Sequence, residues 1–401
     1  MQPYKPAFNL KDYHYPSMDL LDQESKQAIL KLIQPSDMHL PVLWSTDRIE
    51  TIKDLDNSRN ILITGSTGTG KTAFLYQIIV SLLFRMHPCQ IKFILVDCKQ
   101  IEFGIFQSIE KHFLAKTVDG DGIASNPDQI LSTINSLSIE IDNRYKLLAD
   151  AGCRDIHEYN KKFIFKQLNP QKGHQYFPYL ILVIDELADC LLYKSEEISA
   201  TLQKLIYNGG KVGLINIIST NQYNNSTVIS AALLAGIDQR VIFRLNSRED
   251  YRRFFDTVKV PDIYQVGEFN YREFGKPYKG KEVFFSPTEI RRVCDFITQQ
   301  QGYPDAFLLP EYFDEKEQDG KNFDSSDKDP LFEDAARLIV QNQMGSTSLI
   351  QRRMQLGYNR AGRLMDQLEA ARIVGPNLGS KAREVLFKTE LELQCFLDTL
   401  L

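Results

Sequence analysis

Apolar residues in this chain gather in short unbroken runs rather than alternating singly with polar ones. Such runs fall at 60–64 (NILIT), 91–96 (IKFILV), 180–184 (LILVI), 214–219 (LINIIS) and 241–245, with a sixth short one at 282–285. Strands that read as continuous apolar runs are covered on both faces. Between them lie stretches with helical spacing, at 71–86, about 126–152 and about 195–208. Alternation of this kind predicts an α/β domain built on a mostly parallel sheet. Residues 1–40 are weakly patterned, with one helix at about 21–34.

The pattern breaks at 311–329 (EYFDEKEQDGKNFDSSDKD), where eight acidic residues stand against three lysines. So little apolar content cannot bury a core, and the stretch reads as a linker. Beyond it the spacing predicts helices at 331–342, 346–354 and 359–371, with a turn at Leu356-Gly357-Tyr358 before the third. A hairpin follows, pairing 373–374 with 384–386 around Gly375-Pro376-Asn377-Leu378-Gly379. This is the order of a helix-turn-helix with a wing. The last stretch, 387–401, is amphipathic and reads as a cap on that module. The expected divisions are therefore 1–40, 41–310, 311–329, 330–386 and 387–401.

Composition narrows the class. At 401 residues the chain is too long for one ordinary domain. Hydrophobic residues at 43% and charged ones at 25% exclude a disordered or collagen-like main body. The six cysteines include no CxxC pair, which argues against a zinc ribbon or disulfide scaffold and for a reducing cytosol. The six histidines are unclustered along the chain, so no metal beyond a nucleotide-bound Mg²⁺ is expected. No apolar run approaches the ~18 residues that span a bilayer. The N-terminus lacks a signal-peptide core, so a cytoplasmic chain is expected.

Net charge is −5, so the chain as a whole is not a basic coat for nucleic acid. Its distribution is uneven. Residues 346–386 carry seven basic residues (Arg352, Arg353, Arg360, Arg363, Arg372, Lys381, Arg383) against Asp366, Glu369 and Glu384. Asn359, Arg360 and Arg363 open the third helix, where side chains reach base edges in a duplex. Lys381 and Arg383, on the wing, would meet phosphate. A small protein-binding module of the same shape is the alternative.

The chemistry lies in the α/β domain. Gly65-Ser66-Thr67-Gly68-Thr69-Gly70-Lys71-Thr72 is a complete GxxxxGK[ST] match between a predicted strand and a predicted helix. Glycines at Gly65, Gly68 and Gly70 let successive N–H groups converge on phosphate oxygens, aided by the helix N-terminus. Lys71 would reach the terminal phosphates of ATP and Thr72 would hold Mg²⁺. The run 180–184 ends at Asp185-Glu186, where Asp185 would bind Mg²⁺ and Glu186 would polarise the attacking water. Thr220-Asn221-Gln222, after the fourth run, stands where a polar group would sense the γ-phosphate. Arg240, Arg244, Arg248, Arg252 and Arg253 are candidates to complete a neighbouring subunit's site.

These residues resemble the FtsK/SpoIIIE family of DNA translocases. The likeness covers GSTGTGKT, FILVDCKQIEF (93–103), RYKLLADAGCRDIHEYN (144–160) and LVIDELADCLL (182–192) in the α/β domain. It extends to QRRMQLGYNRAGRLMDQLEAARIV (351–374) and REVL (383–386), similar to that family's γ domain, and to PSMDLLD (16–22). The resemblance implies a RecA-like P-loop NTPase with a mostly parallel central sheet, followed by a winged-helix domain. It implies ATP and Mg²⁺ as cofactors, double-stranded DNA as partner, and a homo-hexameric ring serving chromosome partition at cell division. Division or recombination proteins would be further partners. Asp97 and Lys99 match an element near the nucleotide, with Cys98 in place of proline. Arg240 and Arg252 match interface arginines, and Asn359, Arg360 and Arg363 the γ recognition helix.

The departures have consequences. The family's ATQRP is here Ser219-Thr220-Asn221-Gln222-Tyr223, and its basic DNA-facing stretch before the fourth strand is reduced to Lys211 beside Gly209 and Gly210. The α subdomain is short and the membrane-spanning region of family members has no counterpart, as in a soluble paralogue or a motor fragment. A coupling ATPase of a secretion or conjugation system is the alternative function. A third possibility is a DNA-binding regulator that uses ATP only to assemble.

Overall fold

The computed structural model describes residues 10–33, 38–45, 50–57, 59–118, 120–192, 195–221, 228–245, 251, 265–273, 276–312, 329–354, 358–375 and 383–397. Expectations for Gln222, Arg248, Arg252, Arg253, the body of the acidic linker and Lys381 lie outside them. The chain divides into two compact units, Met1–Tyr312 and Phe313–Leu401.

The first unit runs α1 (Gln23–Leu32), β1 (Pro41–Ser45), β2 (Glu50–Asp54), β3 (Asn60–Thr64), α2 (Lys71–Arg85), β4 (Ile91–Asp97), α3 (Glu110–Phe113), β5 (Ala115–Lys116) and β6 (Ile123–Ala124). It continues α4 (Pro127–Asp150), α5 (Ile156–Ile164), β7 (Tyr179–Asp185), α6 (Leu187–Cys190), α7 (Ser195–Asn208), β8 (Leu214–Thr220), α8 (Ala231–Ala235) and β9 (Gln239–Phe243). It ends β10 (Glu268–Glu273), β11 (Lys276–Lys281), α9 (Pro287–Thr298) and β12 (Phe307–Leu308).

Eight strands form one sheet in the order β11-β10-β9-β3-β8-β7-β4-β6. The pairings from β9 through β6 are parallel, and β10 turns the edge antiparallel. Every residue of β3, β4, β7 and β8 is buried, as their unbroken apolar runs require. Helices of this unit have starts that are written locally. Asn126 caps α4 by accepting from Gln129 N, with Pro127 in the first turn, and Ser286 and Glu289 close a reciprocal box at α9.

Three expectations are corrected. No strand forms at 282–285; the edge is instead the β10–β11 hairpin, whose charged sequence reads poorly as a strand. The fifth strand begins at Gln239, earlier than 241, because it pairs along β3 from Ile61. A separate hairpin, β1 with β2, lies where none was expected.

Parallel pairing aligns the carboxyl ends of the central strands. Asp97 on β4 lies opposite Asp185 on β7, and Thr64 on β3 opposite Thr220 on β8. The motifs identified in the sequence therefore leave the sheet along one edge, where open α/β sheets bind ligands.

The second unit contains α10 (Phe332–Asn342), α11 (Thr347–Met354), α12 (Tyr358–Ala370) and α13 (Glu390–Leu397). Antiparallel bridges join Val374 to Val385 and Gly345 to Arg383. Its core includes Phe332, Ile339, Leu364, Leu368 and Ile373, and Leu393 and Leu397 of α13 are buried in it. The tail thus packs on the module that precedes it.

Candidate nucleotide site and DNA-facing module

The loop 65–70 is seated on aromatic rings. Phe74, Phe243 and Phe269 meet with ring centroids 4.9–5.9 Å apart. Gly65 passes so close that a Cβ there would lie 2.7 Å from Phe243 Cβ, so glycine is required. Gly68 and Gly70 have φ of +74° and +115°, in the left-handed range that glycine adopts freely. Neighbouring segments brace the loop: Ser66 N donates to Arg244 O at 3.0 Å, and Gly267 N to Thr69 O at 3.0 Å. Thr69 Oγ1 closes the turn on Ser66 O at 2.7 Å, while Thr67 lies exposed at the tip.

Lys71 opens α2 and is buried. Its ammonium donates to Gly65 O at 3.0 Å and Ser66 O at 3.1 Å. Burial pulls its pKa below the usual lysine value, against the opposing pull of Glu186 and Asp185. Thr72, half-buried, follows in the first turn of α2.

Ser219 ties the two acids together. Its hydroxyl donates to Asp185 Oδ1 at 2.7 Å and accepts from Glu186 N at 2.9 Å. Glu186 has φ of +59°, and its carboxylate accepts from Thr220 Oγ1 at 3.1 Å and from Asn221 N at 2.6 Å. A non-glycine residue in this region is strained, and these bonds hold it there. Burial raises the Asp185 carboxyl to about 6, with Glu102, Glu186 and Asp97 pushing the same way and the Ser219 hydrogen bond opposing. Asp97, by contrast, spends its carboxylate on its own turn, accepting from the N–H groups of Lys99, Glu102 and Phe103.

This donor set fits the groups that the motifs imply. A glycine cradle, an ammonium and a helix N-terminus suit a polyphosphate. A hydroxyl and a buried carboxylate crowded by other acids suit a hard divalent cation such as Mg²⁺. The contacts that the sequence reading missed are those of Ser219 with both acids, of Thr220 with Glu186, and of Lys99 with Asp189 (3.1 Å). Nothing in the local sequence distinguishes these residues from strand-end and loop residues; register across the sheet brings them in.

Glu282 was also missed. A Cβ at Gly70 would lie 2.7 Å from its Oε2, which has no hydrogen-bond partner among the described residues. Burial pushes its carboxyl up to about 7, against the pull of Lys281. Between its ordinary value of 4.5 and 7, the folded state binds the proton more tightly than the unfolded state. Stability must therefore fall as pH rises through that window. Glu282→Gln is expected to abolish this decline: wild type loses melting temperature relative to the variant from pH 4.5 to 7 and no further above. Thermal melts across that range check it.

Arg240 lies on β9, with Nη2 donating to Leu234 O at 3.1 Å, and Lys211 is exposed in the turn before β8. In the second unit, Asn359 and Arg363 lie on α12, and Arg363 is exposed. Arg360 forms a bidentate pair with Asp329, both bonds 2.8 Å, which holds the Asp329 carboxyl below its ordinary range. Arg383 is largely covered by Asp366 (2.7 Å), Glu369 (2.8 Å) and Met365 O (2.9 Å), so its guanidinium anchors the wing to α12. The histidines, unclustered in sequence, do meet once among the described residues. His39, Asp56 and His157 converge, but Arg59 and His157 already engage the Asp56 carboxylate at 3.1 and 2.7 Å.

Fold and site together define a P-loop ATPase architecture. The FtsK/SpoIIIE family model matches residues 31–259 and the Ftsk gamma domain model residues 326–388. The chain belongs to the FtsK/SpoIIIE family. It is 33% identical over 372 residues to the DNA translocase FtsK of Chlorobaculum tepidum, covering 90% of this chain and 45% of that one. It is 32% identical over 338 residues to the DNA translocase FtsK of Streptococcus pneumoniae, covering 83% and 43%. The chain thus spans less than half the length of these relatives. Among solved structures it shares its fold with the pCW3 conjugation coupling protein TcpA with ATPgS (TM-score 0.52, 22% identity, 64% of this chain and 70% of that one). The cytoplasmic domain of the Thermomonospora curvata Type VII secretion ATPase EccC is similar in fold (TM-score 0.55, 17% identity, 78% and 36%). No described helix is long and apolar enough to cross a membrane.

Proposed function

We propose that this chain is an ATP-driven motor that translocates double-stranded DNA, with its C-terminal winged helix guiding it on the duplex. The observation that carries this reading is the joining of an FtsK/SpoIIIE match and a gamma-domain match in one chain. A coupling ATPase of a secretion system would account for the first but has no need of the second.

The residues divide the work. The 65–70 backbone orients the polyphosphate of ATP, and Lys71 leaves its loop carbonyls to meet the terminal phosphate oxygens. Mg²⁺, held by Thr72 and Asp185, would neutralise charge building between the β- and γ-phosphates. Glu186 takes the proton of the attacking water. Its carboxylate is held by Thr220 and Asn221, so it must turn to do so, and β8 thereby reports the state of the nucleotide to the sheet. Arg240 or Arg252 of a neighbouring copy stabilises the transition-state charge, in a homo-hexameric ring. Lys211 faces DNA phosphate, and Asn359, Arg360 and Arg363 read base edges, Arg360 after exchanging Asp329 for DNA. Lys381 follows the backbone, with Arg383 setting the wing's position. Binding through phosphates tracks any sequence, so sequence reading falls to the tethered module. The setting is the cytoplasm and the task chromosome partition at division.

ATP hydrolysis measured with and without long duplex DNA tests this. Strong stimulation is expected, lost in Lys71→Ala and retained in a chain ending at Asp327. Basal hydrolysis that duplex DNA leaves unchanged in a folded oligomer would overturn translocation in favour of the coupling ATPase.

A further inference from the structure

Two thiols, 92 residues apart in sequence, meet beside the catalytic acids. Cys98 Sγ donates to Cys190 Sγ at 2.8 Å. Cys98 follows Asp97 at the end of β4 and is partly exposed; Cys190 ends α6, four residues after Glu186, and is buried. The β4–β7 register that sets Asp97 opposite Asp185 also brings these loops together. The Lys99–Asp189 ion pair fastens the same two segments from the neighbouring positions. Cys89, Cys153 and Cys294 have no thiol partner of this kind among the described residues.

We infer that Cys98 and Cys190 form a peroxide-sensitive dithiol whose disulfide reversibly arrests ATP hydrolysis. The sulfurs need approach by only about 0.8 Å to reach bonding distance, a shift within side-chain rotation. Cys98, the accessible partner, attacks the peroxide: an S–O bond forms, the O–O bond breaks, and water leaves with the thiol proton. Cys190 then attacks the Cys98 sulfur; the S–S bond forms, the S–O bond breaks, and hydroxide takes up the Cys190 proton as a second water. Two thiols are thereby oxidised by two electrons and one hydrogen peroxide is reduced to two waters. Contact with Cys98 and burial both push the Cys190 thiol up, which makes it a poor nucleophile in bulk solution. Its fixed place against Cys98 offsets that, because the second step is intramolecular. The bond would staple α6 to the β4 turn. Glu186 leads directly into α6 and is held back by Thr220 and Asn221, so a stapled α6 keeps it from turning to the attacking water.

This inference rests on the ATPase reading for its effect, but not for the bond itself. The full chain is treated with hydrogen peroxide, its remaining thiols are alkylated, and tryptic peptides are mapped beside an ATPase assay. Peptides 93–99 and 173–194 are expected joined, with hydrolysis down at least about 10-fold and restored by dithiothreitol. Cys98→Ser should keep basal hydrolysis and withstand peroxide. Cys98 found oxidised without the joined peptide, joined peptides with unchanged hydrolysis, or equal inhibition of Cys98→Ser would each overturn it. If the untreated chain hydrolyses no ATP, the reading of the site fails, and the joined peptide still decides the dithiol.

Discussion

Glu186→Gln is expected to slow ATP hydrolysis by about 10²–10⁴-fold, the usual contribution of a general base, while ATP binding survives. The amide keeps the size of the side chain and an oxygen to accept from Thr220 Oγ1 and Asn221 N, so the strained backbone at 186 stays supported. Lys71 and the glycine loop are untouched, which leaves phosphate binding in place. What is lost is the ability to take a proton from water. Single-turnover hydrolysis beside binding of a fluorescent ATP analogue checks both halves. A variant that hydrolyses ATP within about threefold of wild type would remove Glu186 from the chemistry.

Arg144→Ala is expected to destabilise the first unit by about 3–5 kcal/mol, the range for breaking one partner out of a buried ion pair. Arg144 is among the largest fully buried side chains. Its Nε donates to Glu140 Oε1 at 2.8 Å, and Nη1 donates to Pro178 O at 2.8 Å and Val212 O at 3.0 Å. Those carbonyls lie just before β7 and β8, so one guanidinium on α4 fixes the entry of both strands, which end at Asp185 and at Thr220. Its plane also packs over Phe177 at 4.9 Å. Removing it strands the Glu140 carboxylate and two buried carbonyls. Urea unfolding of Arg144→Ala against a Glu140→Gln/Arg144→Met double variant separates the terms. The double variant should recover part of the loss because it leaves no buried charge behind.

Much of the nucleotide site was legible because its signals are local. The glycine spacing of 65–70, Lys71 and Thr72 at a helix start, and Asp185-Glu186 after an apolar run each specify chemistry within a few residues. The strands β3, β4, β7 and β8 were legible for the same reason: a strand buried on both faces writes its burial as an unbroken run. The edge was not. β10 (EFNYRE) and β11 (KPYKGK) are charged, the second carries a proline and a glycine, and only the pairing of β10 with β9 and of β11 with β10 makes them strands.

In the second unit the helix order was read closely from spacing, but the roles of single arginines were not. Arg360 and Arg383 look alike in sequence. One is paired at the start of α12 with Asp329, and the other is enclosed by two acids of α12. Charge counts give a basic face, while contacts decide which charges anchor the module and which remain exposed, as Arg363 does.

The amino-acid order alone established a P-loop α/β domain and a basic winged module and showed an acidic break between them, because each depends on neighbours in the chain. Tertiary structure alone set Ser219 between Asp185 and Glu186, Glu282 against Gly70, Arg144 across two strands and Cys98 against Cys190. The reason is geometric. Parallel strands in register bring together residues tens of positions apart, and no spacing along the chain records which of them will share a sheet edge.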